Sequence, residues 1–233
     1  MNGRADLGAL LAQLQLTDSA FPSGRYTLSH GLEGYVQLGL AGPENLRELL
    51  TDLLRNAVGP GDAAALALAH RAAAARDWER LAEVDRRLEA IKLSREQRAA
   101  SVRTGRQVLD TAVFAFPTPP AVRLAELVED KATPGNHAVV AGVLHAGLGV
   151  PVAHAVAAEL HAFAVGWTTA AVRLGCSDFR RAQRLLHQVR PDLIRAAHTA
   201  LAAEDPRDLH ASAPAADIVA AAHERAAARL FAT

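Results

Sequence analysis

Alanine is the residue that most constrains the fold of this chain, because it fills 52 of the 233 positions. Alanine is the strongest helix former, whereas sheets favour β-branched and aromatic residues, and aromatic residues make up only 4% of the sequence. Half of the residues are apolar, which is enough for one sizeable core. The sequence therefore predicts an all-α fold, a single-domain bundle of about ten closely packed helices over residues 1–233.

Glycine, proline and the spacing of apolar residues bound the predicted helices. A helix over 5–16 is followed by a loop over 18–24 and by a second helix over 27–39. Pro43 suits the first turn of the next helix, and Gly59-Pro60-Gly61 is expected to end it. The remaining helices are predicted over 62–75, 77–91, 94–113, 121–130, 136–148, 152–174, 177–189, 191–204 and 215–230.

Four polar residues are expected to cap helices by accepting hydrogen bonds from free backbone N–H groups. They are Asp62, Asp77, Ser94 and Ser177. The run Ser94-Arg95-Glu96-Gln97 also fits a capping box, in which the hydroxyl and the amide satisfy backbone N–H groups reciprocally. Each cap predicts the start of a separate helix.

The charged residues exclude several classes of partner. The 25 basic residues balance the 25 acidic ones, so the net charge gives no general attraction to nucleic acid or to an anionic membrane. Neither of the two lysines, Lys92 and Lys131, lies in a G-x-x-x-x-G-K-[ST] loop. A nucleotide-driven step would therefore need another subunit, and we expect no nucleic-acid and no membrane partner.

Catalytic and cofactor-binding patterns are missing from the sequence. Cys176 is the one cysteine, which excludes a disulfide framework and a cysteine-rich metal site within one chain and is consistent with a reducing cytoplasm. No Ser–His–acid set, nucleophile elbow or paired E-x-x-H motif is visible. The sequence predicts a cytoplasmic protein that is not an enzyme, with no catalytic residues, no metal ligands and no cofactor.

Three histidines leave an alternative open. His145, His154 and His161 interrupt the apolar stretch 138–167, which is therefore read as buried helix rather than as a membrane span. We expect His145 to donate to a backbone carbonyl. His154 and His161 share a helix face, although a transition-metal site normally needs more than two protein ligands. The alternative function is an all-α metal- or ligand-binding enzyme that uses the His145, His154 and His161 region.

Two segments carry features that a plain helix does not need. Residues 18–37 place Phe21 and Tyr26 on a turn that is expected to be exposed, and Gly31 lies inside the helix predicted there. Because a glycine inside a helix costs roughly 1 kcal/mol relative to alanine, Gly31 suggests close backbone approach or a partner surface. The last predicted helix ends in Leu230-Phe231, an apolar pair that should fray unless it is docked.

These two segments resemble the family of the urease accessory protein UreF. The N-terminal match reads L-Q-L-T-D-S-A-F-P-S-G over 14–24 and Y-T-L-S-H-G-L-E over 26–33. The C-terminal match is His223-Glu224 followed by Arg229-Leu230-Phe231. Weaker similarities lie between them, over 98–109, 138–150, 171–173 and 183–186.

The resemblance implies an all-α cytoplasmic chaperone for nickel insertion into urease. UreF-like proteins dimerise, bind the UreD/UreH accessory protein and recruit UreG, the GTPase that carries nickel. The implied function is a scaffold that links UreG to UreD/UreH and the urease apoprotein, and it agrees with the missing phosphate loop. Arg229 matches the C-terminal arginine implicated in complex assembly, and Phe21 and Tyr26 could supply apolar anchors. The partner-binding residues implied by the two matched segments are Phe21, Pro22, Gly24, Tyr26, Ser29, His30, Glu33, His223, Glu224, Arg229, Leu230 and Phe231.

Overall fold

Helices account for all the regular structure in the described part of the chain. The computed structural model describes the backbone of residues 3–233 and the side chains of residues 7–233. Over this range there is no strand, and the predicted all-α, single-domain bundle is confirmed. The α-helical segments are α1 (Gly3–Thr17), α2 (Leu32–Gln37), α3 (Leu46–Leu53), α4 (Ala64–Ala75), α5 (Trp78–Ile91), α6 (Arg95–Ala115), α7 (Pro119–Glu129), α8 (His137–Gly147), α9 (Val152–Arg173), α10 (Phe179–Gln188), α11 (Arg190–Ala202) and α12 (Pro214–His223). One apolar core, built largely from alanine, leucine and valine, lies between them.

The helix that was expected to end at Gly59 continues. α3 passes into a π-helical segment over Leu54–Ala63, which joins α4 without a break, so Asp62 caps no helix. Contacts from a distant loop support this segment, because the N–H of His210 donates to the carbonyl of Pro60 (3.3 Å) and the N–H of Ser212 donates to the carbonyl of Asn56 (2.8 Å). Tertiary hydrogen bonds thus hold the stretch that proline and glycine would otherwise break.

Other helix starts follow the predicted capping chemistry. The Asp77 carboxylate accepts from the N–H of Arg80 at 3.0 Å, and the Ser94 hydroxyl accepts from the N–H of Gln97 at 3.3 Å. At α10 the prediction is wrong by one residue, because the cap is the Asp178 carboxylate rather than Ser177. A carboxylate also interacts favourably with the positive end of the helix dipole, which a hydroxyl does not do as well.

The helix predicted over 27–39 is reduced to α2, which begins after Gly31. Gly31 has a φ of +86°, a left-handed conformation that glycine adopts without strain, and a β-carbon built there would meet nothing within 4 Å. The close approach occurs instead at Gly34, where a β-carbon would lie 2.6 Å from Cγ1 of Val219. Gly34 therefore lets α12 pack directly on α2.

A buried carboxylate fixes the turn between α7 and α8. Asp85 accepts hydrogen bonds from Oγ1 of Thr133 (2.6 Å) and from the N–H groups of Gly135 (2.7 Å) and Asn136 (3.1 Å). The side-chain amide of Asn136 is a fourth donor at 2.8 Å. We call Asp85 and residues 133–136 the Asp85 knot. All four donors are neutral, and the carboxylate is fully buried.

The two apolar helices α8 and α9 run through the middle of the bundle. α8 is buried along most of its length, and α9 contributes the fully buried Trp167. Within residues 3–233, α9 is the one helix with the length and apolar composition of a membrane span, criteria that core helices of soluble proteins also meet. In this fold α9 packs one face against the core, and 44% of its apolar window is buried.

Candidate functional site

The two segments that stand out in the sequence meet in the fold. The helix predicted over 215–230 ends at His223, and residues 224–233, here called the tail, continue as irregular backbone. The N–H of Ala232 donates to the carbonyl of Thr27 at 2.8 Å. These contacts with the N-terminal segment explain why the helix stops early, because the tail's polar groups find partners outside it.

Ser29 and Glu33 provide the buried contacts for the tail. The N–H of Ser29 donates to the backbone oxygen of Thr233 (3.0 Å), and the Ser29 hydroxyl donates to the same oxygen. Glu33 accepts from the N–H groups of Leu230 (2.7 Å) and Phe231 (2.9 Å). A single carboxylate therefore fixes two consecutive residues of the tail.

His223 lies between two carboxylates on different helices. Its Nε2 is 3.0 Å from Oε2 of Glu33 on α2, and its Nδ1 is 3.1 Å from Oε2 of Glu96 on α6. Arg229 of the tail donates to the other oxygen of Glu96. We call Ser29, Glu33, Glu96, His223 and residues 229–233 the clasp.

The clasp stabilises the ionised form of Glu33. Burial alone would raise the pKa of this carboxyl, but the N–H of Leu230, the His223 ring and the N–H of Phe231 together hold the pKa below its usual range. Glu33 is therefore a carboxylate in the folded chain at neutral pH, although it is almost inaccessible to water.

The tail also completes the cap of α6. The Glu224 carboxylate accepts from the Ser94 hydroxyl (3.1 Å) and from the N–H of Glu96 (3.2 Å). The Glu96 N–H, opposed by some burial and assisted by Ser94, holds the pKa of Glu224 below its usual range. Ser94 and Glu224, which are far apart in sequence, thus both contribute to the N-terminal cap of α6.

An arginine of α9 joins the N-terminal segment to the tail through two aromatic rings. The guanidinium carbon of Arg173 lies 4.1 Å from the ring centroid of Tyr26 and 4.2 Å from that of Phe231. Nη1 of Arg173 also donates to the carbonyl of Tyr26 at 2.6 Å. Cation–π contacts on both rings hold the end of the clasp against the bundle.

The predicted partner-binding residues divide by exposure. The exposed ones are Pro22, Gly24, Tyr26, Arg229 and Leu230, the half-buried ones are His30 and Glu224, and the buried ones are Phe21, Ser29, Glu33, His223 and Phe231. The expected exposure of Phe21 is wrong, because its ring is 8% exposed and packs 6.4 Å from that of Phe116. A large apolar ring gains more free energy in the core than on a turn. Partner binding by these residues stays a prediction.

A cavity of about 190 Å³ with a mostly apolar wall lies beside the clasp, and Leu28 and Thr233 form part of that wall. Two ion pairs line it, Arg25 to Glu159 at 3.0 Å and Lys92 to Asp62 at 2.7 Å. Because each of these charges has a partner, the cavity presents no uncompensated charge to a ligand.

Two histidines face the same cavity in their neutral form. Burial and the nearby Arg25 charge lower the pKa of His30 to about 3, and burial lowers the pKa of His137 to about 4. Within the described residues, Nε2 of His30 and Oγ of Ser101 are buried without a hydrogen-bond partner. The cavity can therefore accept small polar groups through a neutral ring nitrogen and a hydroxyl.

The three histidines of the alternative function do not form a site. His145 is fully buried, and its Nδ1 lies 2.8 Å from the carbonyl of Ala141, as predicted. His154 and His161 are exposed on α9. Among the side chains of residues 7–233, no three His, Cys, Asp or Glu residues are arranged to hold a metal ion.

Sequence reasoning missed the residues that join the clasp and the cavity to the bundle. The sequence around Glu96 predicts only a helix start, and it gives Arg173 no functional role. Glu159 offered the one usable signal, because a charge within an apolar helix needs a partner in the fold. The pattern does not identify that partner, which is Arg25.

Comparisons with known proteins agree with the sequence resemblance. A family model described as UreF matches residues 40–190, which include α3 to α10. The urease accessory protein UreF of Trichodesmium erythraeum is 34% identical over 233 residues and 98% of both chains. UreF of Kocuria rhizophila is 33% identical over 97% of both chains, and UreF 2 of Brucella canis is 32% identical over 97% of this chain and 92% of its own. The chain therefore belongs to the UreF family of urease accessory proteins, whose role lies in urease maturation.

Proposed function

We propose that this chain is a urease maturation chaperone, a scaffold that links the nickel-carrying GTPase UreG to UreD/UreH and the urease apoprotein. Family membership carries this proposal. Nickel is the cargo of the assembly, and the chain itself breaks no bond. We further propose that residues 1–233 form one domain and that the chain acts in the cytoplasm as a homodimer.

The surface beside the clasp supports a role in binding. Tyr26 is 69% and Leu230 60% exposed, although the backbone of each is held by a hydrogen bond, from the half-buried Arg173 at Tyr26 and to the buried Glu33 at Leu230. Anchors held in place before binding lose less conformational entropy when a partner arrives. The partly exposed guanidinium of Arg229 can make oriented contacts with a carboxylate of a partner.

Substitution of Arg229 tests the scaffold. We expect Arg229→Ala to abolish co-purification of UreG in the presence of UreD/UreH, with helical content measured by far-ultraviolet circular dichroism unchanged. Arg225→Ala is the matched control, because it removes an exposed arginine from the same tail. Unchanged capture of UreG and normal urease activation by Arg229→Ala would overturn the proposal.

A second variant separates a contact with the partner from a contact within the chain. Glu96→Ala removes the carboxylate to which Arg229 donates but leaves the guanidinium in place. We expect this variant to retain UreG in the same co-purification. If it loses UreG as fully as Arg229→Ala, the arginine acts through the clasp and not on the partner.

A further inference from the structure

His223 has an acceptor at each ring nitrogen. Nε2 faces Glu33 at 3.0 Å and Nδ1 faces Glu96 at 3.1 Å, both within hydrogen-bond distance, and the ring is 2% exposed. A neutral imidazole carries one N–H and one lone pair, whereas the imidazolium carries two N–H groups. Only the imidazolium can donate to both carboxylates at once.

The other charged groups near His223 come from two elements. On α6, Arg95 lies 3.8 Å from Glu224, so it compensates that carboxylate at the surface. In the tail, Arg229 compensates one oxygen of Glu96. α2 contributes Glu33, whose other donors are the neutral N–H groups of Leu230 and Phe231 and, at 3.4 Å, the side-chain amide of Gln37. Among the described residues, Glu33 has no charged donor other than the ring, whereas Glu96 faces the ring through Oε2 and Arg229 through Oε1.

We propose that the clasp is a pH-sensitive latch, closed by the imidazolium of His223 and loosened when that ring gives up a proton. Loss of the proton leaves one carboxylate facing a lone pair across about 3 Å, which repels it. The tail then separates from Glu33, because its undocking lets both carboxylates reach water. This device does not depend on what the chain binds.

Loosening the latch changes more than the tail. Thr233 forms part of the cavity wall, and its backbone oxygen accepts from Ser29. When the tail undocks, this wall is lost and Ser29 becomes accessible. The ring of Phe231 also leaves the Arg173 guanidinium. One protonation event therefore controls the tail, the cavity wall and the aromatic contact together.

Amide exchange and histidine NMR on the full-length, ¹⁵N-labelled chain test the proposal. We expect both ring nitrogens of His223 to carry protons wherever the amides of Leu230 and Phe231 are protected. As the pH is raised until the ring becomes neutral, we expect their protection factors to fall about tenfold, the effect of losing one hydrogen bond to a charged group. His198→Gln, an exposed histidine on α11, is the control and keeps the wild-type profile.

Two variants distinguish the proposed effect of the His223 ring from a general loss of folding stability. Glu96→Gln supplies an amide that can donate to Nδ1, so a neutral ring is satisfied on both sides and protection persists at alkaline pH. His223→Gln lacks the imidazolium and gives low protection at every pH. A neutral His223 ring beside fully protected tail amides would overturn the proposal. So would identical alkaline profiles for wild type and Glu96→Gln, even if His223→Gln does not fold.

Discussion

The Asp85 knot and the clasp both place a carboxylate where almost no water reaches, yet they satisfy it differently. Asp85 receives only neutral donors, all from residues 133–136. Glu33 receives two backbone N–H groups and a histidine ring. The donors of the knot are all neutral hydroxyl or amide groups, whereas one donor of the clasp is a histidine ring, the group on which the proposed latch depends.

This difference separates permanent structure from adjustable structure. The knot fixes a turn between two core helices, so its loss affects the whole bundle. The clasp fixes a tail at the surface, so its loss can remain local while the bundle stays folded. We therefore expect substitutions in the two regions to differ in how much free energy of unfolding they remove. We also expect them to differ in how many residues show faster amide exchange.

Asp85→Ala should give the largest effect. It leaves the buried donors of Thr133, Gly135 and Asn136 without an acceptor, and we expect a loss of about 4 kcal/mol in the free energy of unfolding. Chemical denaturation monitored by circular dichroism measures this loss. Asp110→Ala removes an exposed carboxylate from α6 and serves as the control. A loss below about 1 kcal/mol would show that water can replace the carboxylate.

Glu33→Ala should have a smaller and more local effect. We expect a loss of about 2 kcal/mol, since the tail can undock and return its N–H groups to water. Exchange should accelerate over residues 229–233 and remain unchanged in α8. Glu83→Ala, an exposed carboxylate on α5, is the control. Equal acceleration in α8 and the tail would contradict a local role for the clasp.

Acid should loosen the clasp through the same carboxyl. Because the pKa of Glu33 is lowered in the folded chain, its contribution is complete above the ordinary pKa of a glutamate. That contribution is lost as the pH falls through the lowered value. Tail protection measured against pH should therefore decrease on the acid side in wild type, and Glu33→Gln should show a weaker decrease. Matching acid profiles for the two proteins would exclude this assignment.

Gly34→Ala should give the smallest effect and test the support of the clasp. Its β-carbon would lie 2.6 Å from Cγ1 of Val219, so α12 must shift and carry His223 with it. We expect a loss of about 1 kcal/mol and partial loss of tail protection. Gly8→Ala lies in α1 with open space around it and should be neutral or slightly stabilising. Full tail protection in Gly34→Ala would show that the packing relaxes freely.

The sequence predicts local chemistry of this fold better than its long-range contacts. Asp77 and Ser94 cap their helices as expected, because a cap needs only the next three residues. The break expected at Gly59-Pro60-Gly61 does not occur, since the carbonyl of Pro60 is held by a residue about 150 positions away. The helix propensity of the local residues cannot predict such a long-range contact.

The candidate site shows the same limit. The two matched segments contain most of the clasp, but the sequence predicts a binding surface there, whereas Phe21 and Phe231 are buried. Spacing along the chain indicates which residues are unusual without showing that they contact one another. Glu96 illustrates this, because only the folded chain brings it to His223.

The separation of the clasp residues has a consequence for synthesis on the ribosome. Glu33 and His223 are 190 positions apart, and Ser29 is 204 positions from Thr233. The bundle between them can assemble as it emerges, because domains fold as units during translation. Until residues 223–233 have been made, Glu33 and Ser29 have none of their tail partners and stay open to water or to chaperones. Closure of the clasp therefore has to follow the synthesis of residues 223–233.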